Sequence, residues 1–148
     1  MVSKKDALIL CNLRRNSRQS IAKIGKNSGI PASTVFDRLR KLEGNIISKY
    51  VSLIDFQKIG YHIRLFFVFK AFDKEKLKKF LINHQNINSV HSVHGENDFF
   101  VEAVFKDLNQ FESFLEDLNN NEIKEKDYYY VVEELKRESF LSEPEHFY

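Results

Sequence analysis

Apolar side chains recur every three or four positions along the first fifty residues, which is the spacing that places them on one face of an α-helix. This spacing predicts three helices, which cover residues 3–13, 20–28 and 31–43. The third has the most regular stripe, because Val35, Leu39 and Leu42 fall at i, i+4 and i+7. Residues 46–54 then alternate weakly between apolar and polar side chains, and this alternation predicts a strand.

The pattern after residue 62 is an alternation of strands and helices. The predicted order is strand 64–72, helix 74–84, strand 88–93, strand 99–105, helix 108–118 and strand 127–134. Two successive βαβ units of similar length predict a ferredoxin-like βαββαβ domain, in which both helices cover one face of an antiparallel four-stranded sheet. The other face is left bare, and a large exposed apolar face predicts a homodimer.

The stretch from Gly29 to Glu43 has the signals of a helix-turn-helix. Gly29 can adopt the left-handed conformation that ends one helix, and Pro31 suits the first turn of the next. Hydroxyl and charged side chains that suit phosphates and base edges lie on the outer face of the second helix, at Ser33, Thr34, Asp37, Arg38, Arg40 and Lys41. Taken alone, the stretch fits an ordinary amphipathic helix with a solvated basic face equally well.

The charge distribution favours the DNA-binding interpretation. The formal net charge is +2, yet residues 1–50 hold eleven Lys or Arg against three Asp or Glu, a net charge of +8. The other 98 residues have a net charge of −6. A basic front half joined to an acidic rear half indicates two roles, one of them towards a polyanion, and we therefore expect double-stranded DNA as a partner.

The composition narrows the class of protein further. Hydrophobic residues at 43% and charged residues at 30% are typical of a globular protein. The single cysteine, Cys11, excludes a disulfide framework and a cysteine metal site, and it fits a reducing cytoplasm. No apolar run approaches the length of a membrane span, so no membrane association is expected.

Other chemistry-bearing residues are few. His91 and His94 lie three positions apart on a strand and point to opposite faces, which favours packing over a metal site, and no cofactor is predicted. Asp98 follows the turn residue Gly95. Its carboxylate could contact a ligand or bond its own backbone, and the sequence leaves both roles open.

At this point the chain resembles the Lrp/AsnC family, the feast/famine transcription regulators, over residues 3 to about 135. The resemblance rests on four motifs that occur in the same order as in the family. The first is an opening D-x-x-I-L-x-x-L helix, carried by Asp6, Ile9, Leu10 and Leu13, and the second is the recognition helix up to Glu43. The third and fourth are the linker IDFQKIG at 54–60 and the G-x-x-D hairpin GEND at 95–98. His94 stands where the family commonly has Thr or Ser. Residues 137–148 have no counterpart in the motif set.

The resemblance implies an α+β fold with an N-terminal winged helix-turn-helix domain (1–47), a linker strand and hinge (48–62), a ferredoxin-like ligand-sensing and dimerisation domain (63–135) and a tail (136–148). It implies a transcriptional regulator, not an enzyme, whose sheet domains pair into dimers that can assemble into higher oligomers such as octamers. It also implies a small-molecule effector, with amino acids as the first class expected, that binds near the hairpin residues Gly95, Glu96, Asn97 and Asp98.

An alternative of a different class is an enzyme. Haem-biosynthetic decarboxylases share this fold, and His84, His91 or His94 could serve in such a pocket. The basic side chains of the third helix, together with the lack of an acid/base pair, favour the regulator.

Overall fold

The computed structural model describes residues 2–147 and divides into two compact units. The first unit combines the chain up to Leu53 with the segment that begins at Leu135, and the second runs from Ile54 to Glu134. Within the described residues, every helix is too short or too polar to traverse a bilayer.

The first unit contains the three helices that the apolar spacing predicts. Two of them begin with serine caps: Ser3 Oγ accepts the Asp6 N–H, and Ser20 Oγ accepts the Lys23 N–H, so donors that lack a partner in the first turn are satisfied. The helices are α1 (Lys4–Arg15), α2 (Ile21–Ser28) and α3 (Ala32–Glu43). Their bounds differ from the prediction by at most two residues, and the helix-turn-helix is confirmed.

A small core joins these helices. Its fully or nearly fully buried members come from all three helices and from the turn between α2 and α3: Ile9, Ile24, Ile30, Val35 and Leu42. Burying a side chain of this size contributes about 1.5–3 kcal/mol of transfer free energy, so the five of them fix how the helices pack.

The strand predicted at residues 46–54 is wrong. The N–H groups of Asn45, Ile46 and Ile47 all point to the Leu42 carbonyl, so the chain turns at the end of α3. None of the residues from 46 to 54 joins the sheet, and side chains such as Leu53 are more than half exposed. The apolar alternation was present, but a strand also needs a neighbour that bonds its backbone.

The segment after residue 134 packs on α1. Arg14 Nε donates to the Phe140 carbonyl at 3.0 Å, and Arg14 Nη2 donates to the Glu138 carbonyl at 2.9 Å and to its carboxylate at 3.0 Å. Arg15 forms an ion pair with Glu143. Both arginines lie in the last turn of α1, where a cation also interacts favourably with the helix dipole. The tail is therefore part of the helical unit.

The second unit is the predicted ferredoxin-like arrangement. Its elements are β1 (Ile63–Ala71), α4 (Lys74–Asn83), β2 (Ile87–Ser92), β3 (Phe99–Phe105), α5 (Leu108–Asn119) and β4 (Ile123–Tyr130). All pairings are antiparallel and the strand order is β2-β3-β1-β4. Alternate residues of β1, such as Phe67 and Phe69, are fully buried with Leu77 and Leu81 of α4 and Phe114 of α5.

The last strand lies four residues earlier than predicted. Residues 124–127 are charged and exposed, so the hydrophobic pattern gives no strand signal there. Their backbone nevertheless pairs with β1, in a register that aligns Leu65 with Tyr130 and Ala71 with Ile123. The position of this strand is therefore set by backbone hydrogen bonding to the edge of β1 and not by the burial of its side chains.

The sheet face opposite the helices mixes aromatic and charged side chains. Phe66 and Phe100 stack at a centroid distance of 5.1 Å, and Tyr129, paired with Phe66, is 61% exposed. Beside them, Glu102 is only 6% exposed, and the hydrogen bonds that it accepts from Arg64 and from the Asn88 amide compensate for the burial of its charge. The face is thus partly apolar and has its buried charge paired.

We expect Arg14→Met to destabilise the helical unit, because it removes the bonds to Glu138 and Phe140 and keeps the aliphatic stem. The loss should be about 1 kcal/mol, since exposed ion pairs are screened. Thermal unfolding monitored by circular dichroism measures it. Arg18→Met is the matched control and should leave the melting temperature unchanged, while an unchanged melting temperature in Arg14→Met would show that the tail contact does not stabilise the unit.

Candidate nucleic-acid interface

The turn between α2 and α3 is set by two glycines. Gly29 ends α2 with φ of 67°, in the left-handed region, as its position in the sequence predicts. The sequence pattern predicts no structural role for Gly25. A Cβ at Gly25 would lie 2.7 Å from the Ile30 carbonyl oxygen, and the Ile30 N–H donates to the Gly25 carbonyl at 3.0 Å. The two helices can therefore approach this closely only with glycine at position 25.

Helix α3 presents an outward face opposite its buried stripe. Val35 and Leu42 are buried, whereas Ser33, Asp37, Arg40 and Lys41 are exposed; we call these four exposed residues the outward face of α3. Thr34 is half-buried at the flank of the outward face. Two cations, a hydroxyl and a carboxylate on one accessible surface can bond phosphates and base edges.

Arg38, which the sequence placed among the DNA contacts, is engaged within the unit. Its Nη1 donates to Asp6 Oδ1 at 2.8 Å and to Ser3 Oγ at 2.9 Å, so it joins α3 to the start of α1. Burial raises the pKa of Asp6, but hydrogen bonds from Ser3 and Arg38 outweigh it and hold that pKa below its ordinary value. The periodicity could not find this pair, because Asp6 and Arg38 are 32 residues apart.

An amide network braces α1 against α2. Asn12 is 9% exposed, and its side-chain oxygen accepts from Asn27 Nδ2 at 3.1 Å. Gln19 Nε2 donates to the Asn12 carbonyl at 2.8 Å. A buried amide is held by its partners because leaving it unsatisfied is costly, so the network restrains the angle between α1 and α2.

Phe36 is an aromatic residue on α3 that the sequence analysis did not single out. Its ring is 47% exposed, and the Arg40 guanidinium carbon lies 5.8 Å from the ring centroid. The available signal was its place directly after Val35, which turns it away from the buried stripe.

The hairpin between β2 and β3 contains the four predicted effector residues. Gly95 has φ of 142°, Gly95 and Glu96 are exposed, and Asn97 is half-buried.

Asp98, the fourth of these residues, bonds one residue at the end of β1 and one at the start of α4. Its Oδ2 accepts the Ala71 N–H at 3.0 Å, and its Oδ1 lies 2.6 Å from Lys74 Nζ. The hydrogen bond from Lys74 is the main cause that lowers the pKa of Asp98. Asp98 thus holds the hairpin to the loop between β1 and α4.

The three histidines considered for an enzyme do not form a metal cluster. Among the described residues, no group of three His, Cys, Asp or Glu side chains could hold a metal ion. His91 and His94 are exposed. His84 packs edge-on against Phe114 at 4.8 Å between ring centroids, and its burial lowers its pKa despite the opposing effect of Asp117.

Two family models match separate parts of the chain. A winged helix-turn-helix DNA-binding model matches residues 3–45, and an Lrp/AsnC ligand binding domain model matches residues 70–141. A transcriptional regulator of the helix-turn-helix type from Pyrococcus abyssi is 29% identical over 129 residues, which is 83% of each chain. A second regulator from the same organism is 27% identical and covers 97% of this chain and all of its own.

Solved structures share the fold over nearly the full length. A transcriptional regulator from Neisseria meningitidis, determined as a complex with L-methionine, has a TM-score of 0.82 at 22% identity and covers 93% of this chain and 94% of its own. A feast or famine regulatory protein from M. tuberculosis, also complexed with L-methionine, has a TM-score of 0.84 at 16% identity, with coverage of 93% and 96%. These relatives are regulators and give no support to the decarboxylase alternative.

We expect the Asp6–Arg38 pair to stabilise the unit without contributing to DNA affinity through phosphate contacts. A double-mutant cycle of Asp6→Asn and Arg38→Met should give a coupling free energy of about 1 kcal/mol at pH 7. Because the folded-state pKa of Asp6 is lowered, this contribution is fully present well above 3.8, the ordinary pKa of an Asp side chain, and it is lost as pH falls through the folded-state pKa. Denaturant unfolding at pH 7 and pH 3 measures it. A coupling that is as large at pH 3 as at pH 7 would contradict the assignment.

Proposed function

The chain belongs to the Lrp/AsnC family of DNA-binding transcriptional regulators, and we propose that it binds duplex DNA through the outward face of α3 and responds to an amino acid bound by its sheet domain. The observation that carries the DNA contact is the set of exposed side chains on α3, which faces away from the core of the helical unit.

The proposed DNA contacts divide by chemistry. Arg40 and Lys41 supply positive charge for phosphates, which release condensed counterions on binding. Ser33 and Thr34, in the first turn of α3, set the helix in the groove and contact base edges, and Asp37 can accept a hydrogen bond from a cytosine amino group. Since Arg38 is held by Asp6, we assign it the separate role of fixing the angle of α3 against α1.

We propose a homodimer formed by the bare sheet face. The stacked rings of Phe66 and Phe100 and the exposed ring of Tyr129 give this face its apolar surface, and Glu102 would enter the interface already paired with Arg64. An isologous pairing of this kind relates two α3 helices by a two-fold axis. The DNA site should then have two half-sites about one helical turn apart, roughly 34–36 Å between centres.

We propose that the effector is an amino acid held by the hairpin of residues 95–98. The regulators from Neisseria meningitidis and M. tuberculosis are each complexed with L-methionine, which makes this class of ligand the first to test. Exposed backbone N–H groups at a glycine turn can bind a carboxylate. Because Asp98 already bonds Ala71 and Lys74, contacts to the ligand from Gly95, Glu96 and Asn97 fit the geometry better, with Asp98 keeping the hairpin in place.

Occupancy of such a site would act on transcription by changing the relative free energies of assemblies. A ligand that binds one assembly more tightly than another shifts the equilibrium towards it, and the spacing of the α3 helices shifts with it.

We expect Arg40→Ala combined with Lys41→Ala to weaken binding to duplex DNA by roughly tenfold and to reduce the slope of log affinity against log salt by about 1–2. The reason is the loss of two phosphate-binding cations. Fluorescence anisotropy over a salt series measures both quantities. Lys58→Ala, which removes a lysine that is 82% exposed outside α3, is the matched control. Unchanged affinity in the double variant would remove α3 as the DNA-binding surface.

We expect native mass spectrometry to give a dimer or a multiple of it. We also expect at least one amino acid of a panel that includes L-methionine to change either the distribution of oligomer masses or the melting temperature of the protein. Asn97→Ala should reduce that response while leaving DNA binding without ligand unchanged. A stable 17.5 kDa monomer at micromolar concentration would contradict the dimer. No response to any amino acid would contradict the effector and leave DNA binding intact.

A further inference from the structure

Phe36 is the large apolar residue of α3 that its own unit leaves uncovered. Val35 and Leu42 are buried and Leu39 packs against the core, whereas the Phe36 ring is 47% exposed. Single exposed apolar residues are common and carry no meaning by themselves. The position of this ring on α3 and the residues next to it distinguish it from such residues.

The ring lies beside the outward face of α3. Ser33 precedes it by three residues and Arg40 follows it by four, which places all three along one side of the helix. The Arg40 guanidinium carbon is 5.8 Å from the ring centroid, within the range of a cation–π contact. This contact orders both side chains before any partner binds, and an ordered side chain loses less entropy on binding.

We propose that Phe36 reads a thymine by contact with its C5 methyl group in the major groove. This inference rests on the proposed DNA contact by α3 and adds a specificity residue to it. The thymine methyl is the one apolar group that the four standard bases present in that groove, and phenylalanine is among the side chains that contact it. Arg40, held over the same ring, then meets either a phosphate or the acceptor edge of a guanine next to that thymine.

The surroundings favour a nucleic acid over a protein partner for this ring. A protein interface that covered Phe36 would also bury the adjacent Arg40, and a buried guanidinium requires a paired acceptor. Duplex DNA supplies the apolar methyl and the acceptors within one base step, which matches the two side chains that the helix places together.

The test begins with selection of preferred duplexes from a random pool by the unaltered protein. Each thymine of the selected site is then replaced by uracil, which lacks only the C5 methyl group. We expect one replacement in each half-site to weaken binding about three- to fivefold, the loss that corresponds to one buried methyl group. Phe36→Ala should bind the thymine and uracil duplexes equally, and Phe36→Leu should retain part of the difference.

Phe72→Ala provides the matched control, because Phe72 is 72% exposed and lies in the other unit. It should keep the thymine preference. The inference is overturned if no uracil replacement weakens binding, if Phe36→Ala shows the same loss as the unaltered protein, or if Phe36→Ala changes the oligomer mass and leaves base preference intact. If the unaltered protein binds no duplex, the proposed role of α3 fails together with the inference, and this result is distinct from the other three.

Discussion

The close approach of the Ile30 carbonyl to Gly25 sets the geometry on which the DNA-binding unit depends. Any side chain at position 25 would meet that carbonyl at 2.7 Å, so α2 and α3 would have to separate. The N–H of Ile30 bonds the Gly25 carbonyl in the same contact, and Ile30 itself enters the core with Ile24 and Val35. The direction of α3, and with it the presentation of Arg40, follows from one backbone contact that no side chain makes.

Two further contacts keep that direction fixed. The Asp6–Arg38 pair ties α3 to the beginning of α1, and the Asn12 network ties α1 to α2. The first joins residues that are 32 positions apart, and the second joins residues that are 7 and 15 positions apart. Each uses a polar side chain whose charge or amide would also suit a contact with DNA. A basic residue on the second helix of a helix-turn-helix can therefore serve to hold that helix in place.

Elements with local signals could be predicted from the sequence, whereas contacts between distant residues could not. The helices were predictable because their signals are local, as with the Ser3 and Ser20 caps and the apolar stripe from Val35 to Leu42. The strand at 46–54 was wrong and β4 was displaced, because both depend on whether a distant backbone offers hydrogen bonds. The role of Arg38 required knowledge of Asp6 as a spatial neighbour. Predicting a role for Phe36 required knowing how exposed its own ring is. Periodicity indicates only which face of a helix is exposed on average.

The contact of the segment from Leu135 onward with α1 makes the helical unit discontinuous in sequence. Its chain is interrupted after Leu53 by the 81 residues of the sheet domain and resumes at Leu135. A fragment cut at the linker would therefore lack part of the unit that it was meant to isolate, since Arg14 and Arg15 would lose Glu138 and Glu143. The sheet domain is also connected covalently to the helical unit at both of its ends, so its removal from the chain requires cutting the backbone at two points.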